Sequence, residues 1–259
     1  MQELPNSSSV VKQLIIKPIS STDANAFVKT IHYSGKVVAN SQLHLGVFLK
    51  DKLCGVMQFG PPMNKKAVLG LVVGTGWSEM IELNRMAFSD FLPKNSESRA
   101  LGYAIKLIKK NYPHIKWILT FADGTQCGDG TIYRASNFIL TGIKKNQGLR
   151  QNPKTGEILQ TIAAHHRMIA KEFRQEWTAL EGFQLRYMYL LHNNLKLTVP
   201  ILPFSTITKF GAQMYKGEKL RVSSVETSTT DFQSVGDGVS PIDTLHLSKD
   251  DDGQTNKTN

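Results

Sequence analysis

Cysteine is nearly absent: Cys54 and Cys127 are the only two among 259 residues. Two thiols can build neither a disulfide framework nor a four-ligand zinc site, so no metal is expected and a reduced, cytoplasmic setting is the simplest. No apolar run reaches the length of about 18 residues that a helical membrane span needs, so no membrane partner is expected. The opening MQELPNSSSVVKQ lacks a basic start followed by a long apolar stretch and does not read as a secretory signal. Acid is scarce through residue 221, with 14 carboxylates against 29 Lys and Arg, a balance of +15. Residues 222–259 reverse this with seven acids and two lysines, or −5. A body this basic suits a polyanion, DNA or RNA. A solvated basic surface that only aids solubility has the same composition. The terminal stretch is short of core residues as well as acidic. The expected organisation is one globular domain over 1–221 and an acidic disordered tail over 222–259.

Hydropathy is ordinary for a globular protein, with 41% hydrophobic and 20% charged residues. VVKQLIIKPIS predicts a strand over about 11–18. SSTDANAFVKTIHYS predicts a helix capped by Ser21 or Thr22 and ending near Gly35. LHLGVFLKDKLCGVMQFGPP reads as two strands about a tight turn at Lys50-Asp51-Lys52, and EMIELNRMAF as another strand over 79–88. SESRALGYAIKLIKKNY carries Leu101, Ala104, Ile105 and Ile108 at helical spacing, with Asn95 or Ser96 to cap it and Pro113 to close it. IKWILTFAD is a near-continuous apolar run, as in a strand buried on both faces. GTIYRASNFILTGIKK reads as a helix, RQNPKTGEI as a loop and residues 158–172 as a further helix. FQLRYMYLL is a strand, and residues 196–220 form a wrapped segment broken by Pro and Gly. There is no internal repeat. This order predicts an α/β fold with a mixed, partly antiparallel central sheet flanked by helices, compatible with a GCN5-related N-acetyltransferase-like architecture.

Four clusters can carry chemistry. His32 and Tyr33 lie near the end of the first long helix, where a histidine can act as base, ligand or stacking group, or simply complement the helix terminus. In EMIELNRMAFS strict alternation puts Glu82, Asn84 and Met86 on one face and Leu83, Arg85 and Ala87 on the other. An arginine among small apolar neighbours wants an acid or a phosphate. KNSESRAL places Asn95, Ser96 and Ser98 at a helix N-terminus, which suits an anion or plain capping. This is where acyl-CoA enzymes carry a glycine-rich pyrophosphate loop. Here there is a single glycine, and Glu97 would repel a diphosphate. FADGTQCGDGTIYRASNF is the fourth. Asp123 closes a buried strand, and ligands of open α/β sheets gather beyond such carboxyl ends. Gly124, Gly128 and Gly130 let the backbone turn and approach a ligand. Tyr133 can face the same mouth with Arg134 beside it. Cys127 stands among glycines, and nothing there makes a thiolate.

IHYSG, LHLGVF, CGVMQFGPP, ELNRMAF, ESRALGYAIKLIKK, FADGTQCGDGTIYRASNF, RYMYLL and LPFSTITKFGAQMYKG, in this order over roughly residues 25–218, resemble the Mom family of phage DNA-modification proteins. The resemblance implies an acetyltransferase-like fold and a transferase that places a carbamoylmethyl group on the exocyclic amine of adenine in double-stranded DNA. Restriction evasion in the cytoplasm of the host cell would be the effect. Carried over by resemblance, the catalytic positions are His32, Arg85, Ser98, Asp123 and Tyr133.

That chemistry requires an extruded base. Tyr33, Tyr133 or Phe59 can stack on it, Gly124 allows close approach, and Arg134 and other basic residues can hold flanking phosphates. Asp123 accepts the amine proton, Arg85 pairs with Asp123 or steadies an oxyanion, and His32 orients the base or is the alternative proton acceptor. A carbamoylmethyl group has the atoms of a glycyl group but is joined through its methylene. The donor expected from this is glycyl-tRNA, with tRNA a second nucleic-acid partner, and acetyl-CoA is the lesser candidate. Two other readings fit the residues: a CoA-dependent N-acetyltransferase for another amine, and a non-catalytic DNA-binding protein that protects by occupancy.

Overall fold

A computed structural model describes residues 7–125, 128–146, 148–212, 214–215 and 218–219. Residues Met1–Val222 form one unit and Ser223–Asn259 a second. The tail expected over 222–259, and Cys127, lie outside the described residues.

The chain begins with α1 (Ser7–Lys12), β1 (Ile15–Pro18) and α2 (Ser21–Ile31), so only the second half of the strand expected over 11–18 is a strand. Ser20, one residue before the expected cap, accepts the Asp23 N–H at 3.0 Å and starts α2. The helix stops at Ile31 rather than near Gly35, because His32 is already extended (ψ 134°). Gly35, at φ 58°, closes the following turn by donating its N–H to the His32 carbonyl. That turn carries His32, Tyr33 and Ser34.

β2 (Leu43–Leu49) and β3 (Lys52–Gly60) form the expected hairpin. Lys50 and Asp51 both adopt positive φ, the geometry of a turn whose twist matches the strands. After α3 (Lys65–Val68) come β4 (Met80–Phe88), α4 (Ser96–Asn111) and β5 (Trp117–Asp123). The stripe of α4, including Ala100, Leu101, Ala104 and Ile108, is fully buried. Burying each Leu or Ile there contributes about 1.5–3 kcal/mol. α5 (Thr131–Ala135) is only five residues long. Asn137 turns left-handed (φ 63°) and the chain then runs as β6 (Ile139–Asn146), not as the helix expected through residue 145. Phe138 and Leu140 become buried against β10 (Gly182–Leu190), whose pairing with β6 overrides their helical spacing.

Between β6 and β10 sits an inserted segment. It contains β7 (Leu149–Gln151), β8 (Ile158–Gln160), α6 (Thr161–His166), α7 (Ala170–Gln175) and β9 (Thr178–Ala179). The stretch expected as a loop is thus a hairpin, β7–β8, and the helix expected over 158–172 is one strand, one short helix and the start of another. The insert has its own small core of Leu159, Ala164, Phe173 and Trp177. The chain after β10 wraps the body irregularly, with α8 (Ser205–Lys209) and the short pair β11 (Met214–Tyr215) and β12 (Glu218–Lys219).

The seven-stranded sheet has the order β1-β2-β3-β4-β5-β10-β6, and every neighbouring pair is antiparallel except β4 and β5. It is the mixed, partly antiparallel sheet with flanking helices that the sequence predicts. α4 packs one face, with Leu45, Met57, Phe59, Leu83, Ile118 and Leu185. The other face carries Met80, Trp117, Leu119 and Met188 at one end, and Val56 and Ala87 under α2 at the other.

One irregularity decides where the polar groups point. Gln58 pairs with Arg85 and Phe59 with Leu83, so Asn84 is an extra residue in β4. This bulge reverses the alternation. Leu83 and Met86 both pack on the α4 side, while Ala87 packs under α2. Arg85 is therefore on the same face as Glu82, not opposite it as strict alternation expects. The parallel pairing of β4 with β5 also ends at Leu83 and Thr120, and beyond it the two strands part.

Candidate active site

Two chambers open where β4 and β5 separate, and Tyr33, Arg85 and Asp123 line both. The inner chamber, about 320 Å³, reaches through the gap to His32, Asn84, Gly130 and Tyr133. The outer chamber, about 470 Å³, is walled by Ser34 and Lys36 on one side and by Gln160 and Arg167 of the insert on the other. A side chamber of about 150 Å³ adds Glu82 and Gln160 to Arg85 and Asp123.

Asp123 is the last residue of β5, and the alternation that buries Trp117 and Leu119 brings its carboxylate to the α2 side of the sheet. Its Oδ2 accepts the Tyr33 hydroxyl at 3.3 Å and its Oδ1 accepts the Thr125 backbone N–H at 3.0 Å. Tyr33 is thus joined to the acid from 90 positions away, while 56% of its surface stays open to the chambers. Its ring lies 4.4 Å from that of His32.

Arg85 does not pair with Asp123. Its Nε donates to the Lys36 carbonyl at 2.9 Å and one terminal nitrogen to the Asn84 carbonyl at 2.8 Å. The bulge supplies the second of these acceptors. Two carbonyls fix the plane of the guanidinium and leave its other terminal nitrogen for a ligand.

His32 is held in place through Nδ1. The Ser34 backbone N–H points at His32 Nδ1 at 3.1 Å, so Nδ1 must accept and Nε2 carries the hydrogen. Burial, followed by the nearby Arg85 charge, pushes its pKa down to about 4. Glu82 is the residue that strand alternation hid. Burial drives its pKa up to about 7, against the smaller opposing pull of Asn84 and Arg85. A carboxyl pushed up by burial that shares a chamber with Asp123 and Arg85 is a candidate group of the site. The one glutamate inside the apolar strand MIELNRMAF was the available signal. Gln160, Lys36 and Arg167 had no local signal, because only the fold brings them to the chamber.

Tyr133 lines the inner chamber with its ring against Phe138 and Tyr187. Gly130 begins α5 at φ 73°, and a Cβ there would fall 2.6 Å from the Tyr187 ring. The other expected positions lie elsewhere. Phe59 is fully buried in the α4-side core and offers no face for stacking. Gly124 packs against the carbonyls of Phe183 and Ala212, so its lack of a side chain serves the fold rather than a ligand. Arg134 is ion-paired with Asp129 at 2.9 Å and lies over the Phe204 ring. Ser98 sits in the first turn of α4 with its hydroxyl on the Asn95 carbonyl, and it is not among the residues of the three chambers.

The Mom protein family matches residues 13–206. A curated relative, methylcarbamoylase mom of Escherichia phage Mu, is 44% identical over 132 residues, 51% of this chain and 54% of that protein. The chain thus matches about half the length of this relative. Among solved structures, an N-acetyltransferase from Staphylococcus aureus Mu50 aligns with a TM-score of 0.44 at 12% identity, over 69% of this chain and 99% of that one. The ribosomal-protein-S18-alanine N-acetyltransferase of Escherichia coli aligns at 0.42 and 10% identity, over 71% and 99%.

Proposed function

The chain belongs to the Mom protein family, and from that premise we propose that it is a transferase that places a carbamoylmethyl group on the exocyclic amine of adenine in DNA. The observation that carries the reading is the meeting of Tyr33, Arg85 and Asp123 at the neck between two chambers, where the parallel strands part. One chamber can hold an extruded base and the other the end of a donor.

Adenine's amine is a weak nucleophile because its lone pair is delocalised into the ring. Asp123, held by two hydrogen bonds, accepts its proton as the amine attacks, and the Tyr33 hydroxyl follows the charge on Oδ2. Arg85 and the His32 Nε2–H face the inner chamber and stabilise the oxyanion that forms on the donor carbonyl. Lys36 and Arg167 rim the outer chamber and hold DNA phosphates.

The donor is glycyl-tRNA. The adenine nitrogen attacks the glycyl ester carbon, the ester bond breaks and the tRNA hydroxyl leaves with a proton. The glycine amine then attacks the ring carbon that bears the new amide, and that carbon–nitrogen bond breaks. The original exocyclic nitrogen becomes the terminal amide of a carbamoylmethyl group, and no oxidant is needed. Acetyl-CoA lacks the nitrogen this product contains. The first turn of α4 is also a poor cradle for its diphosphate. Ser96 is buried with its hydroxyl on the Pro93 carbonyl, Ser98 is bonded to Asn95, and Glu97 adds negative charge.

The test is nucleoside mass spectrometry of DNA from cells expressing the chain. Deoxyadenosine heavier by one glycyl residue is expected with the native protein and is absent with Asp123→Asn. Unmodified DNA from cells that contain the folded native protein overturns the reading. Protection of plasmid DNA that survives Asp123→Asn would instead favour protection by occupancy.

A further inference from the structure

We propose that Met168, in the turn between α6 and α7 of the insert, is the wedge that enters the DNA base stack when the target adenine swings into the outer chamber. The inference rests on the DNA-adenine reading above.

Met168 is 93% exposed, more than any of the other large hydrophobic residues that reach the surface among the described residues. A single exposed apolar side chain is ordinary. Here the backbone makes it unusual. α6 ends in a Schellman turn, with the Ile169 N–H donating to the Ala164 carbonyl at 3.1 Å and the Met168 N–H to the His165 carbonyl at 3.0 Å. The residue at Met168 must then be left-handed, and its φ is 60°. Glycine is the rule at that position, because a Cβ is strained there. Neither α6 nor the small core gains from a long apolar side chain aimed at solvent.

The turn is also stiff. Ile169 packs onto the core of Leu159, Ala164, Phe173 and Trp177, and its carbonyl accepts the Phe173 N–H at 2.8 Å. Met168 therefore stands on a braced corner rather than on a loose loop. The preceding residue, Arg167, lines the outer chamber and is tied to Glu157 at 2.6 Å. On the same insert, His165 and Arg174 are exposed and lie 3.4 Å apart, and His166 is exposed as well. An edge that carries Arg174 and the Arg167–Glu157 pair, with one apolar point next to a base-sized chamber, suits a duplex in which one base has left the stack. Apolar wedges, methionine among them, fill such gaps in other DNA-bending proteins. Extruding a base is least costly when it is already unpaired.

The test uses the full chain, host-cell extract as donor source, and one plasmid supplied either native or heat-denatured, with modified adenine read by mass spectrometry. Met168→Ala should lower the yield on native plasmid about tenfold or more and leave the denatured plasmid within about twofold of the native protein. Met168→Leu should restore most of the native-plasmid yield. Met168→Gly should raise the melting temperature while losing the same native-plasmid yield, which separates the wedge from the fold. Equal modification of native plasmid by Met168→Ala and the parent overturns the inference, as does an equal loss on both forms. If the parent protein modifies neither form, the reading of the function itself fails.

Discussion

Replacing Glu82 by Gln tests the electrostatics of the cleft without touching its shape. In the native protein Glu82 releases its proton near pH 7, against 4.5 unfolded. The folded state therefore binds more protons between these values, and Glu82 adds stability as pH falls from 7 to 4.5. His32 does the reverse. It takes up a proton near pH 4 folded and 6.5 unfolded, so it removes stability as pH falls from 6.5 to 4. Each displacement corresponds to about 3 kcal/mol at 1.36 kcal/mol per pH unit, and partial exposure of both groups trims it to about 2. The two contributions offset each other between pH 6.5 and 4.5. Glu82→Gln removes one of them. The variant should be more stable than the parent by about 2 kcal/mol at pH 8, where the parent buries a charge, and about equal to it at pH 4.5. Urea midpoints from tryptophan fluorescence at half-unit pH steps measure this difference, and the basic background of the chain cancels in the comparison. A difference between variant and parent that does not change across this range would refute the assignment of a displaced carboxyl to Glu82.

Arg85→Lys should reduce modification about 100-fold with little loss of stability, because one ammonium cannot span the Lys36 and Asn84 carbonyls and still face the chamber; single-turnover rates measure it. Tyr33→Phe should slow the reaction about tenfold while leaving DNA affinity unchanged, since the ring stays and the bond to Asp123 goes; gel-shift titration beside rate measurement separates the two. Gly130→Ala should destabilise the fold by about 2–4 kcal/mol, through a left-handed φ and a Cβ against Tyr187, as denaturant unfolding will report.

The sequence by itself determined that Asp123 ends a buried strand, that α4 packs along Leu101, Ala104, Ile105 and Ile108, and that the body carries a large positive charge. Strand termini, helical stripes and net charge depend on neighbours in the chain, so they can be read along it. Only the tertiary structure decided which way Arg85 points. Its direction depends on the bulge at Asn84, which comes from how β4 pairs with β3. In the same way, the pairing of β6 with β10 made a strand of a stretch whose spacing suits a helix. Tyr33, Gln160 and Arg167 come from separate turns and from the insert, and reach Asp123 only when the sheet closes. A carboxyl's environment is likewise a property of the packed cleft, which is why Glu82 reads along the chain as an ordinary strand acid and is pushed up to about 7 by burial in the fold. Local propensity acts over a few residues, whereas hydrogen-bond registry and burial are fixed by partners dozens of positions away.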